Sequence, residues 1–294
     1  MQEAFININD IPTKVVTFGR WITEKPEKGE KVILIIPGNP GITGFYKEFM
    51  KYLYDKHKCP VWAISYAGHE QPTCASVEIP MYKEVGLQEQ IQHKVSFIEK
   101  YIPENSNLHV IGHSIGSYIT LQLLKRTSIE KRIIQAYLLF PTIEHMKKTP
   151  NGKFMYRYIR PIVSIVIFLA FIFTILPKVI SLGLLKTYMK LTDTPSKDTD
   201  VIFSLIRPDI LKQVFFLAFE ELDQVCDRDD ENIRKNLKRI CILYGETDGW
   251  CNHEFYENIK QDHPDISVEM SNYQHAFIFK ENEEVANHIG LWMK

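Results

Sequence analysis

Residues 112–116 read G-H-S-I-G. A serine hydroxyl is a weak nucleophile until a base takes its proton and an acid holds that base in place. The pattern G-x-S-x-G suits this use in one setting, with a strand running in and a helix running out. Both are indicated here. L-H-V-I-G before it is a short apolar strand run, and I-G-S-Y-I-T-L-Q-L-L after it has helical spacing. Ser114 then stands on a tight turn, with its hydroxyl above the carboxyl ends of the strands, where open α/β sheets bind ligands. The competing reading, Ser114 as a plain helix N-cap, leaves a glycine on each side without a reason. The chemistry indicated is acyl transfer through a covalent serine intermediate.

In such an arrangement the partners follow in the order serine, acid, histidine. Among ten histidines, His275 in S-N-Y-Q-H-A-F lies just past the last strand, on a loop able to reach back over the sheet. His288 falls inside the final helix, too far away. His253 and His263 flank the preceding helix and are expected to face solvent. His113 adjoins the serine, with its side chain expected to point away from it. The acid is best placed at Asp248, in L-Y-G-E-T-D-G-W, where a strand gives way to a loop. Glu246 and Asp223 compete for that role. Two N–H donors must also face the developing oxyanion, and losing one typically costs roughly 3–4 kcal/mol of transition-state stabilisation. Ile115, directly after the serine, is the first. Asn39, in the loop P-G-N-P-G, is the second, because Pro40 has no N–H and Gly38 lies nearer the strand end.

The elements that must position these residues alternate along the chain. A-F-I-N-I-N and K-V-V-T-F-G read as an antiparallel pair, with D-I-P-T as the turn. K-V-I-L-I-I-P, P-V-W-A-I-S-Y, L-H-V-I-G, I-I-Q-A-Y-L-L-F-P, R-I-C-I-L-Y-G and I-S-V-E-M read as strands. Helices are expected over residues 43–56, 87–101, 115–125, along H-E-F-Y-E-N-I-K and over 283–293. Continuous apolar strands alternating with helices predict a mostly parallel sheet covered on both faces.

A chain of 294 residues that is 45% apolar has ample material for a core, and a net charge of −1 argues against nucleic acid as a partner. Cys59, Cys74, Cys226, Cys241 and Cys251 show no C-x-x-C spacing, which favours free thiols in a reducing compartment over a disulfide framework or zinc site. The first residues lack the basic and apolar regions of a signal peptide. No metal or organic cofactor is called for.

Residues 161–185 depart from this pattern. They hold one charge, Lys178, and residues 162–176 are almost purely apolar. A spanning helix needs about twenty such residues. An apolar arm, a break at Pro177 and a second arm suit a hairpin seated in one leaflet or in a droplet's phospholipid monolayer. Lys147, Lys148, Lys153, Arg157, Arg160, Lys178, Lys186 and Lys190 surround it, each able to meet anionic headgroups at about 1 kcal/mol. Tyr156, Tyr158 and Tyr188 suit the interface. A buried cap over an apolar pocket is the rival reading, and one insert can serve both ends.

Together, I-I-P-G-N-P-G, S-Y-A-G-H, V-I-G-H-S-I-G-S-Y, F-P-T-I, L-Y-G-E-T-D-G-W-C and H-A-F resemble the lipid droplet-associated hydrolase family, over residues 32–279. The resemblance implies an α/β-hydrolase fold with Ser114 as nucleophile, Asp248 as acid and His275 as base. It implies an enzyme on the cytoplasmic side of lipid droplets and the endoplasmic reticulum membrane, linked to sterol-ester and neutral-lipid turnover. The expected division is a core over 1–140, an apolar helical insert over 141–215 and a second core portion over 216–294. The expected activity is hydrolysis of a hydrophobic lipid ester. An acyl-thioesterase or general carboxylesterase with the same residues, or a droplet-binding or tethering protein of low activity, are the alternatives.

Overall fold

The computed structural model describes residues 1–72 and 84–293. Cys74 lies outside the described residues; the other four cysteines are free thiols. In chain order the elements are β1 (Gln2–Ile8), β2 (Ile11–Phe18), β3 (Lys31–Ile36), α1 (Lys47–His57), β4 (Val61–Ile64), α2 (Leu87–Tyr101), β5 (Asn107–His113), α3 (Ile115–Leu123) and β6 (Ile133–Leu139). Then come α4 (Pro150–Phe154), α5 (Val163–Ile175), α6 (Lys178–Leu191), α7 (Thr199–Leu205), α8 (Pro208–Gln224) and α9 (Asp230–Lys235). The chain closes with β7 (Ile240–Gly245), α10 (His253–Asp262), β8 (Ser267–Ser271) and α11 (Asn282–Trp292).

The strands form one sheet in the order β1-β2-β4-β3-β5-β6-β7-β8. The pairs β1–β2 and β2–β4 are antiparallel, and all others are parallel. This is the expected α/β-hydrolase architecture. Strand side chains alternate between faces, so β3 feeds two cores. Val32, Leu34 and Ile36 pack with Ile91 and Ile98 of α2 and Ile119 of α3 on one side. Ile33 and Ile35 pack with Phe49 and Leu53 of α1 and Val285 and Ile289 of α11 on the other. Both faces are thereby covered, which is why these strands are apolar throughout.

Two boundaries differ from expectation. Residues 43–56 divide into a 3-10 turn, Thr43–Tyr46, and α1. The β1–β2 turn falls on Asn9 and Asp10, not on D-I-P-T, because Ile8 pairs with Ile11. Both turn residues have positive φ, 50° and 63°. That twist suits a two-residue hairpin, and Asn and Asp tolerate it best among non-glycine residues. Pro12 therefore sits within β2, opposite Asn7.

Strand β5 lies mid-sheet and delivers Ser114 to its carboxyl edge, while α3 must leave at once and close to β3. A Cβ on Gly116 would lie 2.2 Å from the Ile36 carbonyl oxygen and 2.7 Å from that of Pro37. Neither backbone atom can move without shifting the sheet. Gly116→Ala is expected to cost about 3 kcal/mol or more. It should lower the thermal unfolding midpoint by about 6 °C or more in a chain of this size.

Between β6 and β7 the sheet rhythm is interrupted by α4 to α9. Helix runs without a gap from Pro150 to Ile175, 26 residues, long and apolar enough by composition to cross a membrane, and only 6% of its most apolar window is buried. It is longer than the fifteen apolar residues suggest because α4 and two irregular turns extend it towards its N-terminus. Leu176 and Pro177 break it as expected, and α6 follows. Helix α5 packs on α8 and α6 on α7. Within α5 only Ala170 is buried. The division expected at residue 215 falls inside α8.

Candidate active site

Ser114 has φ 54° and ψ −123°, a conformation that is strained for any residue with a side chain. Its side chain makes no N-cap hydrogen bond to α3, so the capping role is not the one it plays. The strain raises its Oγ off the sheet edge. There Nε2 of His275 lies 3.1 Å from Ser114 Oγ, and Nδ1 of the same ring lies 2.6 Å from Oδ2 of Asp248. The Asp248 side chain is fully buried. Its other oxygen, Oδ1, accepts the backbone N–H groups of Trp250 at 2.7 Å and Cys251 at 3.3 Å. These bonds aim the carboxylate at the ring.

The competing acids lie elsewhere. Glu246 is exposed. Asp223 is on α8, ion-paired with Lys147 and with Arg160 at 3.0 Å. His253 is exposed as expected. His263 is not: it is 2% exposed, its Nε2 lying 2.7 Å from Oδ1 of Asp230. The solvent-facing expectation for His263 fails because the Arg228–Asp230 ion pair closes over it. His288 lies beside Glu269, away from Ser114.

The loop after β3 presses against the serine, a Cβ at Gly38 falling 2.9 Å from that of Ser114. Gly38 N–H donates to the Tyr46 hydroxyl at 2.8 Å and is thereby engaged. The N–H groups of Asn39 and Ile115 have no acceptor among the described residues. These are the two donors expected from the sequence.

The side chain of His113 does not reach the serine, yet it has a task that its sequence neighbourhood did not reveal. Because Tyr46 accepts from Gly38, its O–H points to Nδ1 of His113 at 2.6 Å. Nε2–H of His113 then donates to the backbone carbonyl of His275 at 2.9 Å. Burial above all, then the nearby His275, pulls the His113 imidazole down to about 3, so it stays neutral and keeps this tautomer. A buried chain Gly38–Tyr46–His113–His275 thus ties the loop after β3 to the loop after β8. Tyr46→Phe leaves the Gly38 N–H and His113 Nδ1 without partners at about 1–3 kcal/mol each. Its expected result is a stability loss of roughly 2–6 kcal/mol by denaturant titration, with kcat lowered about tenfold.

Donor atoms of Asp248, Cys251 and His275 lie within 4.8 Å of one another, close enough to surround a metal ion. Their chemistry is otherwise engaged. Cys251 Sγ–H donates to the Pro141 carbonyl at 3.0 Å, and burial raises the thiol well above its ordinary range, the wrong state for a metal ligand.

Above Ser114 opens a cavity of about 450 Å³. Phe45 and Phe279 line its sheet side, and Met155, Leu205, Val214 and Phe215 form its roof. The roof therefore comes from Met155, α7 and α8, whereas α5 turns its apolar surface outward. Cap and exposed apolar face are separate parts of one insertion.

A mostly parallel sheet, a strained serine after its central strand and a histidine and aspartate from later loops define an α/β-hydrolase. Solved structures agree on the fold. An esterase from Exiguobacterium antarcticum superimposes with a TM-score of 0.62 at 16% identity, over 99% of each chain. The thioesterase domain from the curacin biosynthetic pathway gives 0.62 at 13% identity, over 98% of each. The chain belongs to the lipid droplet-associated hydrolase family, whose model matches residues 29–278. It is 38% identical to the lipid droplet-associated hydrolase of Drosophila melanogaster, over 97% of this chain and 96% of that one. It is 35% identical to that of Homo sapiens, over 100% and 95%. It is a hydrolase by family and fold.

Proposed function

We propose that this hydrolase cleaves carboxylic esters of apolar lipids, sterol esters or other neutral lipids, at the surface of lipid droplets and on the cytoplasmic side of the endoplasmic reticulum membrane. The observation that carries the reading is the hydrogen-bonded series Ser114–His275–Asp248 at the floor of an apolar cavity. Ser114 Oγ attacks the ester carbonyl carbon while Nε2 of His275 takes its proton. The carbonyl oxygen becomes an oxyanion held by the N–H groups of Ile115 and Asn39. Asp248 keeps Nδ1 protonated and stabilises the imidazolium. The carbon–alkoxy bond then breaks, and the alcohol leaves with the proton from His275. Water, deprotonated by His275, releases the acid and restores the serine.

The outward apolar face supports droplet contact. Phe168, Leu169 and Ile175 are 60%, 59% and 61% exposed, and Val179 and Leu191 of α6 are 84% and 81% exposed. Large apolar side chains left exposed in this number mark a lipid or protein contact. Basic residues border it, and Tyr158 and Tyr188 stand exposed beside it.

A fluorophosphonate probe tests the nucleophile. Labelling on Ser114 is expected, and labelling that persists in Ser114→Ala would refute the assignment. Parallel assays with a sterol ester, a triglyceride and a long-chain acyl-thioester rank the substrates. Preference for the thioester would replace the ester reading.

A further inference from the structure

Glu221 lines the cavity beside Ser114 and has no part in the steps above. It projects from α8, is 2% exposed, and its Oε1 accepts from Nδ2 of Asn39 at 3.1 Å. The same Asn39 amide group donates to the Val214 carbonyl, also on α8, at 3.0 Å. Two α8 acceptors thus hold one residue of the loop after β3. Tyr46 holds the preceding residue, Gly38. Between these tethers lies the Asn39 backbone N–H, which has no acceptor among the described residues.

We propose that Glu221 is a positioning residue for ester cleavage: by fixing the Asn39 side chain it aims the Asn39 backbone N–H at the oxygen that becomes the oxyanion. The inference rests on reading Ser114 as the nucleophile. An uncharged amide would suffice for the hydrogen bond alone, so the acid brings a second property. Burial pushes the Glu221 carboxyl up to about 8, against the opposing effect of the Asn39 bond. At neutral pH it is mainly the neutral acid. Above that value it becomes a carboxylate facing a site where negative charge must develop. The active form is the protonated one, so the rate falls as pH rises through about 8.

The groups facing Glu221 leave this sign intact. Burial holds the hydroxyls of Tyr66, after β4, and Tyr46 above their ordinary range, so both stay uncharged. His113 stays neutral. His275 faces Ser114 through Nε2 and Asp248 through Nδ1. Glu220, next on α8, accepts the Leu87 N–H at 2.9 Å. Lys94 of α2 lies 4.5 Å from the Tyr66 ring centroid, and burial pulls it well below its usual range. Its titration is common to wild type and Glu221 variants, so a difference between them belongs to Glu221.

The test is the pH profile, from 6 to 10, of kcat/KM on a water-soluble ester and of the rate of fluorophosphonate labelling at Ser114, using the full chain. Wild type is expected to be about tenfold slower at pH 9 than at pH 7, the ratio set by one group titrating near 8. Glu221→Gln keeps an acceptor for Asn39 and cannot ionise, so its profile should stay level to about pH 9.5. Glu221→Leu removes the acceptor and should lower kcat about tenfold or more, with KM within about twofold. A Gln variant that retains the alkaline fall overturns the proposal, whether or not the Leu variant folds. If wild-type Ser114 takes no label at any pH, the nucleophile assignment itself is wrong. If it labels but the Gln profile matches wild type, only the role of Glu221 is lost.

Discussion

Ser114→Ala is expected to lower kcat on any ester substrate on the order of 10⁶-fold, with substrate binding little changed. In the proposed mechanism Oγ forms the acyl-enzyme, and Nε2 of His275, 3.1 Å from it, is the base that takes its proton. With Oγ gone, His275 and Asp248 have no proton to move. The oxyanion donors and the cavity remain, so a residual rate about 10³–10⁴-fold above water is expected. The folded chain should persist, because Ser114 Oγ makes no structural hydrogen bond to the helix it precedes. A glycine-like relief of strain is not available to alanine, which also carries a Cβ at φ 54°. Steady-state kinetics with a thermal melt for each variant decides the matter. Retention of more than about a hundredth of the wild-type rate would assign the chemistry to another residue.

The second large effect concerns the lipid surface. Converting Phe168, Leu169 and Ile175 together to Asp should release the protein from isolated droplets. Each side chain contributes about 1.5–3 kcal/mol when fully withdrawn from water. Three of them together, allowing for partial burial, account for about 4 kcal/mol or more, close to a thousandfold in partitioning. These residues are more than half exposed, so the unfolding midpoint should move by no more than a couple of degrees. A water-soluble ester reads the Ser114 site apart from the surface step. Flotation of droplets with bound protein measures the outcome. Unchanged binding would locate the anchor elsewhere, α6 with its exposed Val179 and Leu191 being the next surface to alter.

Several features of the site were legible as local patterns. The strand–serine–helix junction shows in the seventeen consecutive residues 108–124, because strand and helix periodicities are set by backbone geometry a few residues at a time. Leu87, Ile91, Val95 and Ile98 show α2 for the same reason, and all four are buried. Other features depended on which surfaces meet. In E-T-D-G-W the place where strand gives way to loop favours Asp248 and leaves Glu246 as a rival. The choice is made by the loop, which buries one carboxyl beneath two backbone N–H groups and leaves the other in water. His263 reads as a surface residue until Asp230 and Arg228 close over it.

By itself the sequence determined the alternation of strands and helices, the strained turn at Ser114, the apolar character of residues 162–176 and the histidine loop after β8. Each is written in neighbouring residues and follows from local backbone preference and apolar spacing. The tertiary structure alone decided the pairings: His275 with a serine 161 positions away and an aspartate 27 positions away, His113 with the His275 carbonyl, and Glu221 with Asn39. It also divided the insertion between a roof of α7 and α8 and an outward face of α5. Hydrogen bonds of about 3 Å between distant residues exist only once the sheet order has brought its loops to one edge, and no local spacing encodes that distance.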